Sequence, residues 1–455
     1  IERTGATVVD ELPHLQMSVV TAAPAAAASL GDLPGVRSVE EDRIIRPALA
    51  RSVPFIGAAA ARVEGSTGQG AWVAVIDTGV HTAHPTFAGA PKLEACFAPS
   101  DVVVTARCPN GDTTQVGPGS AAPGSCAECA HGTHVAGIAV GRGGGGAPRG
   151  VAPGAGLVAI QIFDRPASSE PVASLASLLA GLDHVAGLAA TRRIAAVNLS
   201  LTFGQPTAGS CDDLSLALRA AVDELRARRV LVVAASGNQG HPDGVGAPAC
   251  FSRVLSVGST TLPTGDDPEQ VSAFSNTSAT HGMVAPGDGI VSALPASTAG
   301  AQSGTSMAAP HVSAAAALYV GRRPATSVAQ LERLLAETAV DVPDPIRGTQ
   351  HRVDALALTR SMAMELAPYG IRVNAILPGY IDVGESGDHL APRYREAMRA
   401  SSPLGRAGEP EDIANAALLL ASPLADYISG VALPIDGGAS AGAAHLWPVE
   451  REEGR

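Results

Sequence analysis

The sequence predicts an α/β fold, a parallel sheet with helices on both faces. Three observations predict it. The chain has 455 residues, enough for two or three domains with ample core. From residue 71 onward, short apolar runs alternate with longer helical stretches. Strand–helix alternation of this kind gives a parallel sheet covered on both sides.

The elements follow in order. Residues 1–47 contain alternating apolar segments, and "LQMSVV" and "VRSVEEDRII" predict strands of a small α+β unit. Residues 48–70 read as a linker leading into a helical turn. Then come the buried strands "AWVAVID" (71–77), "VAIQIFD" (158–164), "AAVNLSL" (195–201), "VLVVAAS" (230–236) and "VLSVGST" (254–260). Helices are expected at "SLASLLAGLDHVAGLA" (174–189) and "LSLALRAAVDELRAR" (214–228). "GRGGGGAPRG" (141–150) lacks the Lys-Ser/Thr of a phosphate-binding loop and reads as a flexible surface loop. "QVGPGSAAPGSCAECA" (115–130) is a second loop, which its cysteines would tie down. After about residue 355 the pattern restarts as helix, strand, helix, strand and ends in "VALPIDGG".

Hydrophobic residues make up 46% and charged residues 16%, as in a folded globular chain. Aromatics are only 3%, so the core must be mostly Ala, Val, Leu and Ile. A net charge of −12 argues against nucleic acid as the main partner. No apolar run is long enough to span a membrane. The chain starts at Ile1 and shows no signal peptide, which reads as a removed start or a fragment. Six cysteines form an even set, which in an exported protein suggests three disulfides.

Three short stretches carry chemistry. In "VAVIDTGVHTAHP", Asp77 ends a buried strand, where a carboxylate is costly unless it is paired. In "HGTHVAGI", His131 opens an apolar helix. In "SGTSMAAPHVSAAAALYV", Ser306 stands at a helix start after Gly304. Singly, each has a plain capping explanation. Together they supply the acid, base and nucleophile that acyl transfer needs. In "VVAASGNQG", Asn238 follows a strand and offers an amide donor for an oxyanion.

The chain order Asp, His, Ser, with "DTGV", "HGTHVAG", "GN" and "GTSMAAPHV" around it, resembles the subtilisin-like serine proteases. "GVAPGAGLVAIQIFD" resembles the family's strand after the histidine helix. The resemblance implies a subtilisin-like sheet over residues 48–355 and a secreted serine endopeptidase acting on protein or peptide substrates. Asp77 would orient His131, His131 would be base and then acid, and Ser306 would be the nucleophile. The Asn238 side chain and the Ser306 N–H would hold the oxyanion. "NLSLTFG" matches the family's substrate strand, so Ser200, Leu201 and Thr202 would pair with the peptide backbone. Ala234, Ala235 and Ser236 would form the other wall. Thr202 stands where the family often has glycine and would narrow the first pocket. His84 and His134 would be structural.

Residues 1–47 resemble the end of the family's pro-region, through "LPGVRSVEEDRII". Such a segment would inhibit its own protease until cleaved between about residues 46 and 55. Zinc at Cys126, Cys129, His131 and His134 is disfavoured, because four ligands within nine residues are cramped and would take His131 from the triad. Cys211 and Cys250 are expected to pair. The other four (Cys96, Cys108, Cys126, Cys129) leave three pairings open. The resemblance requires no cofactor. It allows calcium as a structural ion, but no short Asp-rich loop identifies a site.

At "ALALTRSMAMELAPYGIRVNAILPGYID" the text changes to resemble the C-terminal portion of short-chain dehydrogenases/reductases. "PLGRAGEPEDIANAALLLASPLADYISG" and "VALPIDGG" agree, giving a Rossmann-like fragment over 356–440 and a tail, 441–455. Hydride transfer needs a Gly-rich turn after a first strand, and in that family a Tyr-x-x-x-Lys pair. No such turn precedes the fragment, the Tyr and Lys positions fall at Arg347 and His351, and the chain's single lysine is Lys92. A non-catalytic fragment without bound NAD or NADP is expected. Its strands "IRVNAILPG" and "VALPIDGG" would be neighbours lacking the five strands they should extend. The alternative reading is an inactive chimera, whose tail prevents a competent fold and which serves as a binding or structural protein.

Overall fold

The computed structural model describes residues 48–98, 108–163, 171–358, 370–382 and 402–438, with breaks of one to three positions. It also describes the backbone of two N-terminal strands and isolated positions between 23 and 36. Residues 1–46 form one compact unit and residues 47–455 another. In the first, β1 (Thr7–Leu12) and β2 (Met17–Thr21) pair antiparallel. The second supports "LQMSVV" as a strand, while positions 37–45 of the other predicted strand lie outside the described residues.

In the larger unit the chain runs through α1 (Ala48–Phe55), α2 (Ala58–Val63), β3 (Trp72–Asp77), β4 (Lys92–Phe97), β5 (Thr114–Val116) and α3 (His131–Val140). A hairpin of β6 (Arg142–Gly144) and β7 (Ala147–Arg149) leads to β8 (Gly156–Gln161), α4 (Leu175–Ala189), β9 (Ile194–Leu199) and β10 (Phe203–Thr207). Then follow α5 (Leu216–Ala227), β11 (Leu231–Ala235), β12 (Val245–Ala247), β13 (Leu255–Thr260), β14 (Met283–Pro286) and the hairpin β15 (Ile290–Leu294) with β16 (Thr298–Gln302). The long helix α6 (Thr305–Arg322), α7 (Val328–Glu337), β17 (Val340–Val342) and β18 (Gln350–Arg352) complete the sheet region.

Ten strands form one sheet in the order β17-β18-β14-β13-β11-β9-β3-β8-β4-β5. The edge strands β5 and β17 are antiparallel to their neighbours, and every other pairing is parallel. Side chains alternate across it. Val73 and Val75 enter one core with α3 and α6, and Ala74 and Ile76 enter the other with α4 and α5. Both faces are therefore covered, which is why the strands are apolar throughout.

Two sequence expectations need correcting. Residues 48–63 are two packed helices rather than a linker: Val53, Ile56, Ala58 and Ala61 are buried in the main core. "GRGGGGAPRG" is the β6–β7 hairpin rather than a structureless loop. Its four glycines, Gly143 to Gly146, all take positive φ, and glycine alone does so at no steric cost. At the C-terminus the expectation holds: β19 (Ala375–Pro378) and β20 (Ala432–Ile435) are parallel neighbours in a two-stranded sheet of their own. With α8 (Pro410–Ala421) they enclose a small core of Ile376, Ala416, Leu420 and Ala425.

Candidate active site

Strand order reverses about β3. The chain passes from β3 to β4 and β8 on one side before crossing to β9 on the other. A ligand crevice opens at the carboxyl ends of strands beside such a reversal. Asp77 is the last residue of β3 and is 1% exposed.

Its Oδ1 accepts the Thr78 N–H at 2.7 Å and lies 2.8 Å from His131 Nδ1. His131 opens α3, and two devices hold that helix against β3. The Thr78 hydroxyl donates to the Cys129 carbonyl at 3.1 Å and accepts the Gly132 N–H at 3.0 Å. Gly132 itself permits the approach, because a Cβ there would stand 2.3 Å from the Gly79 carbonyl and 3.0 Å from Asp77 Cβ. The His131 side chain is 26% exposed, and with Nδ1 engaged, Nε2 is the nitrogen left for chemistry. Burial pulls its pKa down, while the Asp77 charge and hydrogen bond pull it up. The net value is above the ordinary one.

Ser306 lies in the first turn of α6, where backbone N–H groups have no helical partner. Four residues on, Pro310 has no N–H to give the Ser306 carbonyl. That carbonyl accepts the Ser200 hydroxyl instead, at 2.7 Å. Asn198 Nδ2 donates to Ser200 Oγ at 2.9 Å, and Asn198 Oδ1 accepts from Ser313 in α6 at 2.9 Å. A buried polar chain thus fixes α6 to the strand that precedes the cleft. The Ser306 hydroxyl donates to the Ser200 carbonyl at 3.3 Å. Asn238 Oδ1 accepts both the N–H and the hydroxyl of Thr305, at 2.9 and 3.0 Å. This orients the amide so that Nδ2 is the free donor, beside Gly304, where a Cβ would lie 3.3 Å from it.

The predicted walls flank this edge. Ser200 is buried, Leu201 half-buried and Thr202 exposed. Ala234 and Ala235 are interior positions of β11, and Ser236, just beyond them, donates to the Asn276 carbonyl at 2.6 Å. The Ser236 carbonyl accepts the Gly246 N–H at 3.0 Å, so Gly246 crosses beneath that wall. A Cβ on Gly246 would meet Thr202 Cβ at 3.4 Å, so the Thr202 side chain already stands against it. His84 Nε2 bonds the Thr298 carbonyl at 2.9 Å and His134 Nε2 the Gly300 carbonyl at 3.0 Å, so each anchors the β15–β16 hairpin. Sequence reading missed Thr78, Asn198 and Thr305. Only Pro310, inside an otherwise helical run, signalled a carbonyl in need of a partner.

Cys211 and Cys250 are bonded as expected, and the open pairings resolve as Cys96–Cys108 and Cys126–Cys129. The second bond removes both thiolates that a zinc site beside His131 would need. Among the described residues no cluster of His, Cys, Asp and Glu is placed to hold a metal ion. None of the described helices is long and apolar enough to cross a membrane.

The Subtilase family profile matches residues 68–360. The chain belongs to the subtilase family. Subtilisin E of Bacillus subtilis (strain 168) is 32% identical over 346 residues, 74% of this chain and 79% of that protein. Subtilisin Savinase of Lederbergia lenta is 34% identical over 315 residues, 68% of this chain and 100% of that protein. Of the solved structures, the S41 psychrophilic protease is 26% identical with a TM-score of 0.51, covering 63% of this chain and 92% of its own. The chain is a serine endopeptidase of this family, and it carries a dehydrogenase-like C-terminal segment. A second profile, enoyl-(acyl carrier protein) reductase, matches residues 305–440 and so overlaps the first from α6 onward. In this subtilase β17 and β18 of the overlap region belong to the ten-stranded sheet, and α6 and α7 pack into its main core. Arg347 and His351 face Asp344 at 3.2 Å and Asp341 at 3.0 Å.

Proposed function

We propose that this subtilase cleaves peptide bonds through an Asp77–His131–Ser306 triad and an acyl-enzyme intermediate. The observation that carries the reading is the 2.8 Å contact of His131 Nδ1 with buried Asp77. It leaves Nε2 as the base, at the strand edge where Ser306 and Asn238 also lie. A rotation of the Ser306 side chain away from the Ser200 carbonyl starts the reaction. Its oxygen attacks the scissile carbonyl carbon, and its proton passes to Nε2. Negative charge on the carbonyl oxygen is met by Asn238 Nδ2 and the Ser306 N–H. The C–N bond then breaks as the imidazolium protonates the leaving amine. Water, deprotonated by the same nitrogen, releases the acyl group and restores Ser306.

Substrate would lie between Ser200–Thr202 and Ala234–Ser236, with Thr202 shortening the first pocket. The domain limits 1–47, 48–355 and 356–440, with the tail 441–455, belong to this reading. Residues 1–47 would serve as the inhibitory pro-region. Within the expected cleavage window, residues from Arg51 onward lie in a packed helix, which favours cleavage at its start, near residues 46–48. Three disulfides support export from the cell. Calcium would at most be a structural ion, and no part of the mechanism uses it. The dehydrogenase-like segment would bind no NAD or NADP, since its lysine and Gly-rich turn are missing.

The test is hydrolysis of a chromogenic tetrapeptide by purified chain and by a Ser306→Ala variant, with a serine-directed phosphonate fluorophore as label. Activity and labelling in the wild type alone are expected. An inert, unlabelled wild type of native fold would replace this reading with that of the inactive chimera.

A further inference from the structure

The amino-terminal ends of the strands, at the other end of β3 from Asp77, carry a second feature. A cavity of about 620 Å³ opens there, lined by Arg62, Arg142 and Arg149, with Trp72 and Gly89 in its wall. Two more arginines lie beside residues of its wall. Arg192 lies over the Trp72 ring at 6.0 Å, and Arg193 Nη1 reaches within 3.7 Å of where a Gly70 Cβ would be. Among the described residues no carboxylate lies within ion-pair distance of Arg62, Arg142 or Arg149, and none lines the cavity. This concentration of positive charge sits on a chain of net charge −12.

The arrangement is costly as it stands. Arg142 and Arg149 are directly opposed across the β6–β7 hairpin, a cross-strand pairing that like charges destabilise. Arg62 is held low, to about 10, by burial and by the neighbouring Arg149 charge. The guanidinium groups are nevertheless held in position. Arg142 donates from Nε to the Pro153 carbonyl at 3.0 Å and from Nη1 to the Gly89 carbonyl at 2.7 Å. Arg62 donates to the Gly150 carbonyl, and Arg149 Nε reaches the Arg142 carbonyl at 3.4 Å. Carbonyl anchors use some of the N–H groups and neutralise none of the charge. The glycine turn of the hairpin brings both arginines to one place.

We propose that this cavity is a binding site for a small multivalent oxyanion, an oligophosphate or a polycarboxylate. Guanidinium forks match both groups with paired hydrogen bonds, and three of them suit an anion of two or more negative charges. A volume of 620 Å³ suits a small molecule. The site is independent of the peptidase chemistry, being built from neither wall of the cleft.

The test is calorimetric titration of full-length Ser306→Ala protein, a background that prevents self-cleavage in every arm. Pyrophosphate and citrate are the probes, and sodium chloride at matched ionic strength is the control. Saturable one-to-one binding is expected for at least one probe, and the stronger one identifies the oxyanion class. Arg149 is exposed, so its loss should spare the fold. Arg149→Ala should weaken binding about tenfold, and Arg149→Glu more. Arg219→Ala, on the exposed side of α5, should leave it unchanged. Heats no larger than those of chloride, or equal affinity in the Arg149 variants, would overturn the proposal.

Discussion

Asp77 Oδ1 serves two donors, the Thr78 N–H and His131, and this fixes the tautomer of the imidazole as well as its position. The His131 pKa stands above the ordinary value despite burial. In the proposed mechanism His131 must be neutral to act as base, so kcat/KM should fall as pH drops through that raised pKa, at higher pH than an ordinary histidine would give. Asp77→Asn removes the charge that raises it and should cost on the order of 10⁴ in kcat, the size known from other serine-protease triads. A pH–rate profile of the wild type with its acid limb at or below the ordinary histidine value would contradict this electrostatic account. A second prediction concerns Thr202. Its side chain fills the space against Gly246, so small side chains should be preferred at the first substrate position. Thr202→Gly should raise kcat/KM for a phenylalanine substrate relative to an alanine one. An unchanged ratio in paired peptide assays would show that Thr202 lies outside the pocket.

At the scale of elements, the Cys211–Cys250 bond closes a loop with a sequence separation of 39 that includes α5, β11 and Asn238. Chain-entropy arguments give a bond of that span roughly 4 kcal/mol. The double variant Cys211→Ser/Cys250→Ser should therefore lower the unfolding free energy, measured by urea titration, by a comparable amount. A loss below about 1 kcal/mol would mean that the reduced chain keeps this loop constrained by other means. The strands were the legible elements, because burial on both faces demands uninterrupted apolar runs. The placement of Asp77 at a strand end, and of His131 and Ser306 in the first turns of helices, was also legible. The helices of residues 48–63 were not, since "AAAAR" has little periodicity and its burial comes from packing on distant segments. The Ser52 hydroxyl, for example, lies 2.9 Å from His311 Nε2, 259 residues away. Nor was the network through Asn198 and Ser313, whose partners are neighbours only after folding.

Over the whole molecule, two buried imidazoles link stability to acidity. Burial is the main cause that lowers His134 and His311 to about 4. In the unfolded chain both titrate near the ordinary value, about 6.5. Between those pH values the unfolded state binds more protons than the folded one, so stability is full above about 6.5 and falls toward 4. The loss should be of the order of 3 kcal/mol per histidine, read as the pH dependence of the urea midpoint in the Ser306→Ala background. His134→Gln should flatten the slope, and an unchanged slope would remove this histidine from the account. The C-terminal segment adds a different liability. Its core is small, while Leu404, Leu418 and Leu424 are 70%, 68% and 84% exposed. Exposed apolar surface of this kind promotes association. Leu358 packs into the peptidase core, so a chain ending there keeps that contact and loses the segment. Such a truncation should retain kcat/KM and show a smaller mass by light scattering at high concentration. Lost activity with a native fold would instead mean that the dehydrogenase-like segment has become part of the peptidase's working structure.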